Sequence, residues 1–168
     1  MIRYDFLSEI PLFKGLTEEQ LAVLSSKLEL RYYKHNEVII KENETGDELY
    51  ILNKGKVKIT KCLTLTAYEN KGDDREKSLN ILDERNHPAF GEVAMLQNNI
   101  RSATVSAVND CELLTLKRSV FEKLADDDAR MGYIIIRNIA VNLSETLKKS
   151  SHDVIKLATA FSLVMKCE

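Results

Sequence analysis

Between residues 30 and 116 the sequence is divided into short apolar runs, and this division limits the chain to a few folds. The runs are rich in Ile, Val, Leu and Tyr, and most are separated by glycine or by Asn and Asp, which favour turns. Many short strands joined by turns indicate an antiparallel sandwich or barrel. Residues 49–61 give the clearest prediction of a hairpin, and the polar residues 68–78 predict an exposed hairpin tip. The apolar runs are 38–40, 49–52, 57–59, 79–82, 104–105 and 113–116.

Helical patterns lie on both sides of this region. Thr17, followed three residues later by Gln20, predicts a capping box at the start of a helix. After Leu116 the acidic run Asp126–Asp128 is expected at the start of a long helix, where the helix dipole favours negative charge. We therefore expect a barrel part with its flanking helices over residues 1–126 and the long helix over residues 127–168.

The long helix carries apolar or small residues at alternating steps of four and three. This heptad stripe extends over about four heptads and predicts a coiled coil. It favours a homodimer over a helix that packs against its own barrel along its whole length. Because Ser150–Asp153 could cap and restart a helix, the stripe is compatible with one helix or two. The residues of the heptad stripe are Ile136, Ala140, Leu143, Leu147, Ser150, Val154, Leu157, Phe161 and Val164.

Composition and charge argue against several classes of function. The 44% of apolar residues can form a core, and the net charge of −2 gives no reason to expect nucleic acid or an anionic membrane as a partner. Three cysteines and three histidines are scattered, which argues against a disulfide framework and a metal site. The sequence has no membrane-length apolar run, signal peptide, helix-turn-helix pattern or nucleophile with a positioned base. We expect a soluble, cytoplasmic, non-enzymatic protein.

The strongest chemical signal lies in residues 90–107. Gly91 lets the backbone come close to a ligand, and a one-turn helix over residues 93–96 would leave amide groups unpaired at its start. Such amides favour an anion. Arg101 adds a planar, permanently charged fork that matches two phosphate oxygens, and Ser102 adds a hydroxyl. Glu92 cannot favour a phosphate, but it can accept a hydrogen bond from a sugar hydroxyl, so the set suits a ribose phosphate.

The string FGEVAML…RSATVSA resembles the phosphate-binding cassette of the cyclic-nucleotide-binding domain family, which includes catabolite activator protein, kinase regulatory subunits and cyclic-nucleotide-gated channels. Residues 13–16 and 44–57 fit the family's opening helical turn and central hairpin, and about residues 5 to 145 can be read onto the family. The resemblance implies an α+β fold: an antiparallel jelly-roll barrel (a cupin-like double-stranded β-helix) with N-terminal helices and a long C-terminal helix. The matching cassette residues are Phe90, Gly91, Glu92, Ala94, Leu96, Arg101, Ala103, Val105 and Ala107.

By this resemblance the ligand is cAMP or cGMP, with a slight preference for cAMP, and no cofactor or metal is implied. Arg101 and Ser102 would hold the cyclic phosphate, and Glu92 would hold the ribose 2′-hydroxyl. Thr146 on the long helix falls, by the heptads, where catabolite activator protein has a threonine that contacts adenine. The full set of ligand-binding residues implied is Phe90, Gly91, Glu92, Val93, Ala94, Arg101, Ser102, Ala103 and Thr146.

The function implied is that of a sensor that responds to its ligand by movement of the C-terminal helix and acts through a protein partner or a fused effector. The alternative is a degenerate member of the family that keeps the fold as a dimerisation or docking scaffold without ligand. Two departures from the family concern the pocket entrance. Asn43 stands where many members have glycine, and residues 87–89 (His-Pro-Ala) replace a turn that usually contains glycine.

Overall fold

The computed structural model describes residues 4–62, 76–96 and 100–165, in which the chain forms eight strands and five α-helices. The helices are α1 (Tyr4–Leu7), α2 (Glu18–Ser25), α3 (Glu92–Leu96), α4 (Arg118–Asp127) and α5 (Ala129–Met165), with 3-10 turns at Pro11–Phe13 and Glu84–Asn86. The strands are β1 (Glu29–Tyr33), β2 (Val38–Ile40), β3 (Glu48–Lys54), β4 (Lys56–Cys62), β5 (Glu76–Asp83), β6 (Ala89–Phe90), β7 (Thr104–Ala107) and β8 (Cys111–Lys117).

The strands form two antiparallel sheets, with the orders β1-β8-β3-β6 and β2-β7-β4-β5. Strands that are far apart in the sequence lie side by side, as β1 does with β8 and β2 with β7. The jelly-roll fold implied by the sequence is confirmed. It consists of two facing sheets and not of a closed barrel, because within the described ranges no strand ladder joins one sheet to the other.

The predicted hairpin at residues 49–61 is wrong. Strands β3 and β4 follow each other through a tight turn at Gly55, which has a φ of 98°. However, β3 pairs with β8 and β6, whereas β4 pairs with β5 and β7. The turn carries the chain from one sheet to the other, and a sequence pattern of strand, turn and strand cannot distinguish this crossing from a hairpin. The predicted hairpin tip at residues 68–78 lies outside the described residues up to residue 75, and β5 begins at Glu76.

Side-chain caps mark the starts of α2 and α5. The predicted capping box is confirmed: the Thr17 N–H donates to Gln20 Oε1 at 3.0 Å, and the Gln20 N–H donates to Thr17 Oγ1 at 3.3 Å. Of the acidic run, Asp126 and Asp127 end α4, and Asp128 accepts a hydrogen bond from the Met131 N–H at 3.0 Å at the start of α5. Gln20 Nε2 also donates to Asp128 Oδ2 at 2.7 Å, which ties α2 to α5.

Two hydrophobic cores lie on opposite faces of the β1-β8-β3-β6 sheet. Side chains alternate between the faces of a strand, so Tyr50 and Leu52 of β3 belong to the core between the sheets, while Leu49 and Ile51 pack against the helices. The helical core also contains Met95 of α3 and three buried residues of α5: Met131, Ile135 and Ile139. Helix α3 is thereby linked to α5 through one continuous cluster.

Helix α5 is continuous from Ala129 to Met165, so the possible break at Ser150–Asp153 does not occur. One face of its first turns is buried, and Asn138 Nδ2 donates to the backbone carbonyls of Leu12 and Lys14 at 2.9 and 3.0 Å. From Ser144 onward the described side chains are exposed. About 20 residues of helix at 1.5 Å per residue project roughly 30 Å beyond the packed part. The helix therefore does not pack along its whole length against its own sheets.

Candidate functional site

Arg101 lies between α3 and β7 and is held by its backbone against the segment that precedes β3. Its N–H donates to Glu44 O at 2.9 Å, and its carbonyl accepts from the Asn43 N–H at 3.0 Å. Asn43 has a φ of 66°, in the left-handed region that asparagine adopts more readily than most residues. This explains how Asn43 can replace the glycine that is common in the family pattern. The side chain of Arg101 is buried, with the residue only 6% exposed.

The guanidinium of Arg101 is positioned by backbone carbonyls and by an aromatic ring. Its Nη1 donates to Glu48 O at 2.8 Å and to Gly91 O at 3.3 Å, and its Cζ lies 5.7 Å from the centroid of the Tyr50 ring. The Tyr50 ring stacks in turn on Phe90 at 5.6 Å between centroids. A guanidinium has five N–H donors. The donors on Nε and Nη2 have no hydrogen-bond acceptor among the residues that the structure describes.

Two glycines leave room for this guanidinium. A Cβ on Gly46 would lie 2.3 Å from Arg101 Nε and 2.5 Å from Nη2, and a Cβ on Gly91 would lie 2.8 Å from Nη1. Gly91 has a φ of 85°, so it is required for backbone conformation as well as for space. The φ of Gly46 is not positive, so glycine is required there for space alone.

The buried charge of Arg101 has no carboxylate within 4 Å in the described part of the chain. The carboxylate of Glu48, the residue whose backbone carbonyl binds Arg101, is already occupied, because it accepts from both Nη atoms of Arg31 and from the hydroxyl of Tyr50. An unpaired buried cation is costly unless an anion or other hydrogen-bond acceptors compensate it. The guanidinium of Arg101 can therefore bind an anionic ligand.

Glu92 is the first residue of α3 and is half-buried beside the same cavity. Burial raises the pKa of its carboxyl group, because desolvation disfavours the charged form, although its own backbone N–H partly offsets this. A carboxyl group in this setting gains from a hydroxyl that donates to it. Glu92 thus provides an acceptor on the wall of a cavity whose cation is Arg101.

Besides Arg101 and Glu92, the cavity is lined by small residues on one side and by apolar side chains on the other. Its polar and small lining comes from the segment on either side of residues 97–99, which lie outside the described part of the chain. Its apolar lining comes from three strands of the second sheet and from β6. The lining residues are Ile40, Ile59, Phe90, Gly91, Glu92, Val93, Ala94, Arg101, Ser102, Ala103 and Val105. An anion next to a sugar-like, partly apolar group matches this arrangement.

A sequence profile of the cyclic nucleotide-binding domain matches residues 30–128, which is more than half of the chain. The chain belongs to the cyclic nucleotide-binding domain family. The matched range contains all eight strands except the first residue of β1, together with the whole cavity. Domains of this family are regulatory.

Relatives of the domain include kinases and bacterial regulators. Cyclic GMP-dependent protein kinase 2 of Homo sapiens is 30% identical over 167 residues, which are 96% of this chain and 20% of the kinase. The crystal structure of the Thermus thermophilus catabolite activator protein matches with a TM-score of 0.72 at 28% identity, over 88% of this chain and 63% of that one. The regulatory domain of Toxoplasma gondii PKA, crystallised with cAMP, matches with a TM-score of 0.61 at 28% identity, over 76% of this chain and 44% of that one. The chain thus spans about a fifth of the length of the human kinase.

The structure brings together eight of the nine residues that the sequence analysis proposed for the ligand. These eight line one cavity: Phe90, Gly91, Glu92, Val93, Ala94, Arg101, Ser102 and Ala103. Thr146 does not line it and is exposed on the projecting part of α5. Its contact with a ligand stays a prediction.

Sequence reasoning missed the residues that reach the cavity from other parts of the chain. Ile40 and Ile59 line it, Gly46 leaves room for the guanidinium of Arg101, and the Tyr50 ring lies against that guanidinium. The sequence places these residues only in short strands and turns. That position does not indicate which distant side chains they contact.

Among residues 4–62, 76–96 and 100–165, no group of three or more His, Cys, Asp or Glu side chains could hold a metal ion. None of the helices in these ranges combines the length and the hydrophobicity that a membrane span requires.

Proposed function

We propose that this domain binds cAMP or cGMP in the cavity at Arg101 and that binding changes the position of α5, which transmits the signal. The observation that carries the proposal is the buried guanidinium of Arg101, which has free donors but no carboxylate partner among the described residues. A cyclic phosphate would supply the missing negative charge and two oxygens for the fork. Relatives support this, since the Toxoplasma gondii regulatory domain was crystallised with cAMP.

Each part of the cavity has a role in this proposal. Arg101 and Ser102 hold the phosphate, and Glu92 accepts a hydrogen bond from the ribose 2′-hydroxyl. Gly91 and Ala94 allow the sugar phosphate to approach the backbone, with Val93 and Ala103 beside it. The apolar side chains of Phe90, Ile40, Ile59 and Val105 bury the sugar and the near edge of the base.

The route from the cavity to α5 runs through α3. One end of α3 forms the cavity wall at Glu92 and Val93, and its other face buries Met95 in the helical core that contains Met131, Ile135 and Ile139 of α5. A ligand shifts a conformational equilibrium only by its different affinity for the two states. A shift of α3 around the bound nucleotide would change the packing of Met95 and so bias the position of α5.

Calorimetric titration tests the binding. We expect heat with cAMP, with cGMP or with both, and affinity at least tenfold lower (about 1.4 kcal/mol) for the linear 5′-monophosphates, whose phosphate is not tied to the 3′ oxygen and so is not held at Arg101 while the 2′-hydroxyl reaches Glu92. The ratio of the two cyclic nucleotide affinities identifies the preferred ligand, for which the sequence slightly favoured cAMP. The absence of heat with both cyclic nucleotides would contradict the proposal and would favour the alternative, a scaffold that binds no ligand.

We also propose that the projecting part of α5 forms a homodimer through the heptad stripe. Leu147, Val154, Leu157 and Phe161 are each more than 60% exposed, an unusual state for large apolar side chains placed on one helical face. A second copy of the helix offers the same spacing and can bury them. The dimer places two cavities in one assembly.

Sedimentation equilibrium tests this dimer. We expect Leu157→Lys combined with Phe161→Lys to convert a dimer to a monomer. In the dimer, the two charges on the heptad stripe would have to lose their water at the interface between the helices. Ile155→Lys is the matched control, since Ile155 is equally exposed at 63% but lies off the stripe. A monomeric wild-type chain, or equal dissociation by the control, would contradict the proposal.

A further inference from the structure

An ion pair beside the cavity involves Arg31 of β1 and Glu48 of β3. Arg31 binds the Glu48 carboxylate with both Nη atoms, at 2.6 and 2.8 Å, and the Tyr50 hydroxyl donates to the same carboxylate at 2.7 Å. The side chains of Arg31 and Glu48 are 31% and 16% exposed, so the pair is only partly solvated. Arg31 is the only cation within 4 Å of this carboxylate in the described part of the chain.

The same residue, Glu48, also contacts Arg101. The backbone carbonyl of Glu48 accepts a hydrogen bond from Arg101, while its side chain is turned to Arg31. The Tyr50 ring lies between the two cations: its face is under Arg101, and its hydroxyl is bonded to the Glu48 carboxylate. Three rotatable bonds connect this carboxylate to the backbone that Arg101 binds, so its direction can change through a change of rotamer.

The Glu48 carboxyl group stays charged in this position. Burial disfavours its charged form, but the hydrogen bonds from Arg31 and Tyr50 outweigh this and lower its pKa. A charged carboxylate on the residue whose backbone carbonyl binds Arg101 is a potential internal competitor for an anionic ligand, because both would use the same guanidinium donors. Arg31 is what occupies that carboxylate.

We propose that Arg31 is a positioning residue of the anion site: by holding the Glu48 carboxylate, it keeps the guanidinium of Arg101 available to the phosphate of the ligand. Arg31 does not line the cavity, so in this proposal it acts on the ligand only through Glu48 and Arg101. The inference rests on the proposed cyclic nucleotide binding. It assigns to the Arg31–Glu48 pair a role in ligand affinity in addition to joining β1 to β3.

Affinity for the preferred cyclic nucleotide in the full chain provides the first test. We expect Arg31→Met to lower the affinity about tenfold, since the released carboxylate then pairs with Arg101. Glu48→Gln alone should leave the affinity at or above that of the wild type, and the double variant should recover it to within about threefold of the wild type. If Arg31 only supports the fold, the double variant binds no better than Arg31→Met, and the proposal is overturned.

The control for this series is Arg85→Met, which removes another arginine paired with a carboxylate, Asp83, away from the cavity. We expect it to leave the affinity unchanged. Arg31→Gln, which keeps a polar group at this half-exposed position, replaces the Met variant should the latter not fold. An equal loss with Arg85→Met would also overturn the proposal.

A second test needs no nucleotide and separates this proposal from the proposed function. With Arg31 present, the coupling between Glu48→Gln and Arg101→Met in the unfolding midpoint should be small, because the two side chains share contacts with Tyr50 but do not pair with each other. In the Arg31→Met background this coupling should increase, since a new pair between residues 48 and 101 is then broken. Equal coupling in both backgrounds refutes the positioning role, even if the domain binds cyclic nucleotide. A larger coupling without Arg31 shows that Arg31 keeps Glu48 from pairing with Arg101, even if the wild type binds neither nucleotide.

Discussion

Arg101→Met is expected to lower the affinity for cyclic nucleotide by about 30-fold or more, which corresponds to roughly 2–4 kcal/mol. The substitution removes the cation that faces the cavity and all five donors of the fork, while methionine fills a similar volume. Calorimetric titration of both proteins with the preferred nucleotide measures the loss. Because phosphate contacts contribute in the same way with either base, cAMP and cGMP should lose affinity by a similar factor.

The ligand-free stability of the same variant distinguishes loss of a ligand contact from loss of the fold. The guanidinium is buried and has no carboxylate partner in the described ranges, so its removal relieves a desolvation penalty and offsets the two lost hydrogen bonds to Glu48 O and Gly91 O. We expect the unfolding midpoint to change by no more than about 4 °C, equivalent to roughly 1 kcal/mol. Arg137→Met, at an exposed position of α5, is the control and should change neither quantity. Unchanged nucleotide affinity in Arg101→Met would refute the proposed site.

The part of the site that could be predicted from the sequence is the part that lies close together in the chain. Phe90 to Ala94 and Arg101 to Ala103 are separated by few residues, so a short helix and one connection bring them to the same cavity. Their chemistry is also visible locally, since Arg101 with Ser102 and Glu92 already combines a cation with a sugar acceptor. The burial of these residues depends on packing against distant parts of the chain, and the sequence does not show it.

What could not be predicted depends on pairing between distant strands. The sequence of β3, turn and β4 is the same for a hairpin as for a crossing between sheets, and only the registers with β8 and β5 decide between them. Gly46 illustrates the same limit for a single residue. In the sequence it is a turn signal beside Asp47, yet its φ is ordinary, and its lack of a side chain matters because Arg101, 55 residues later, occupies that space.

Gly46→Ala is therefore expected to impair ligand binding and to leave the fold in place. The added Cβ would stand 2.3 Å from Arg101 Nε and 2.5 Å from Nη2, the edge that carries the guanidinium donors without an acceptor among the described residues. The far end of the arginine side chain can move aside, so the conflict is relieved at the expense of the phosphate site. We expect affinity for cyclic nucleotide to fall about 10- to 100-fold, the effect of losing a hydrogen bond to a charged group. Titration against the wild type measures it.

Stability separates this mechanism from simple damage to the fold. Alanine can adopt the backbone conformation of Gly46, and it restricts the unfolded chain, which contributes roughly 0.4–1 kcal/mol in favour of folding. We therefore expect the ligand-free unfolding midpoint of Gly46→Ala to stay within a few degrees of the wild type. Gly91→Ala should lose both affinity and stability, because its φ is 85° and its Cβ would meet the backbone oxygen of Glu48 at 3.0 Å. Thr45→Ala, at the exposed neighbouring position, should change neither. If Gly46→Ala keeps wild-type affinity, the guanidinium of Arg101 does not bind the phosphate from its position beside Gly46, and the proposed site is contradicted.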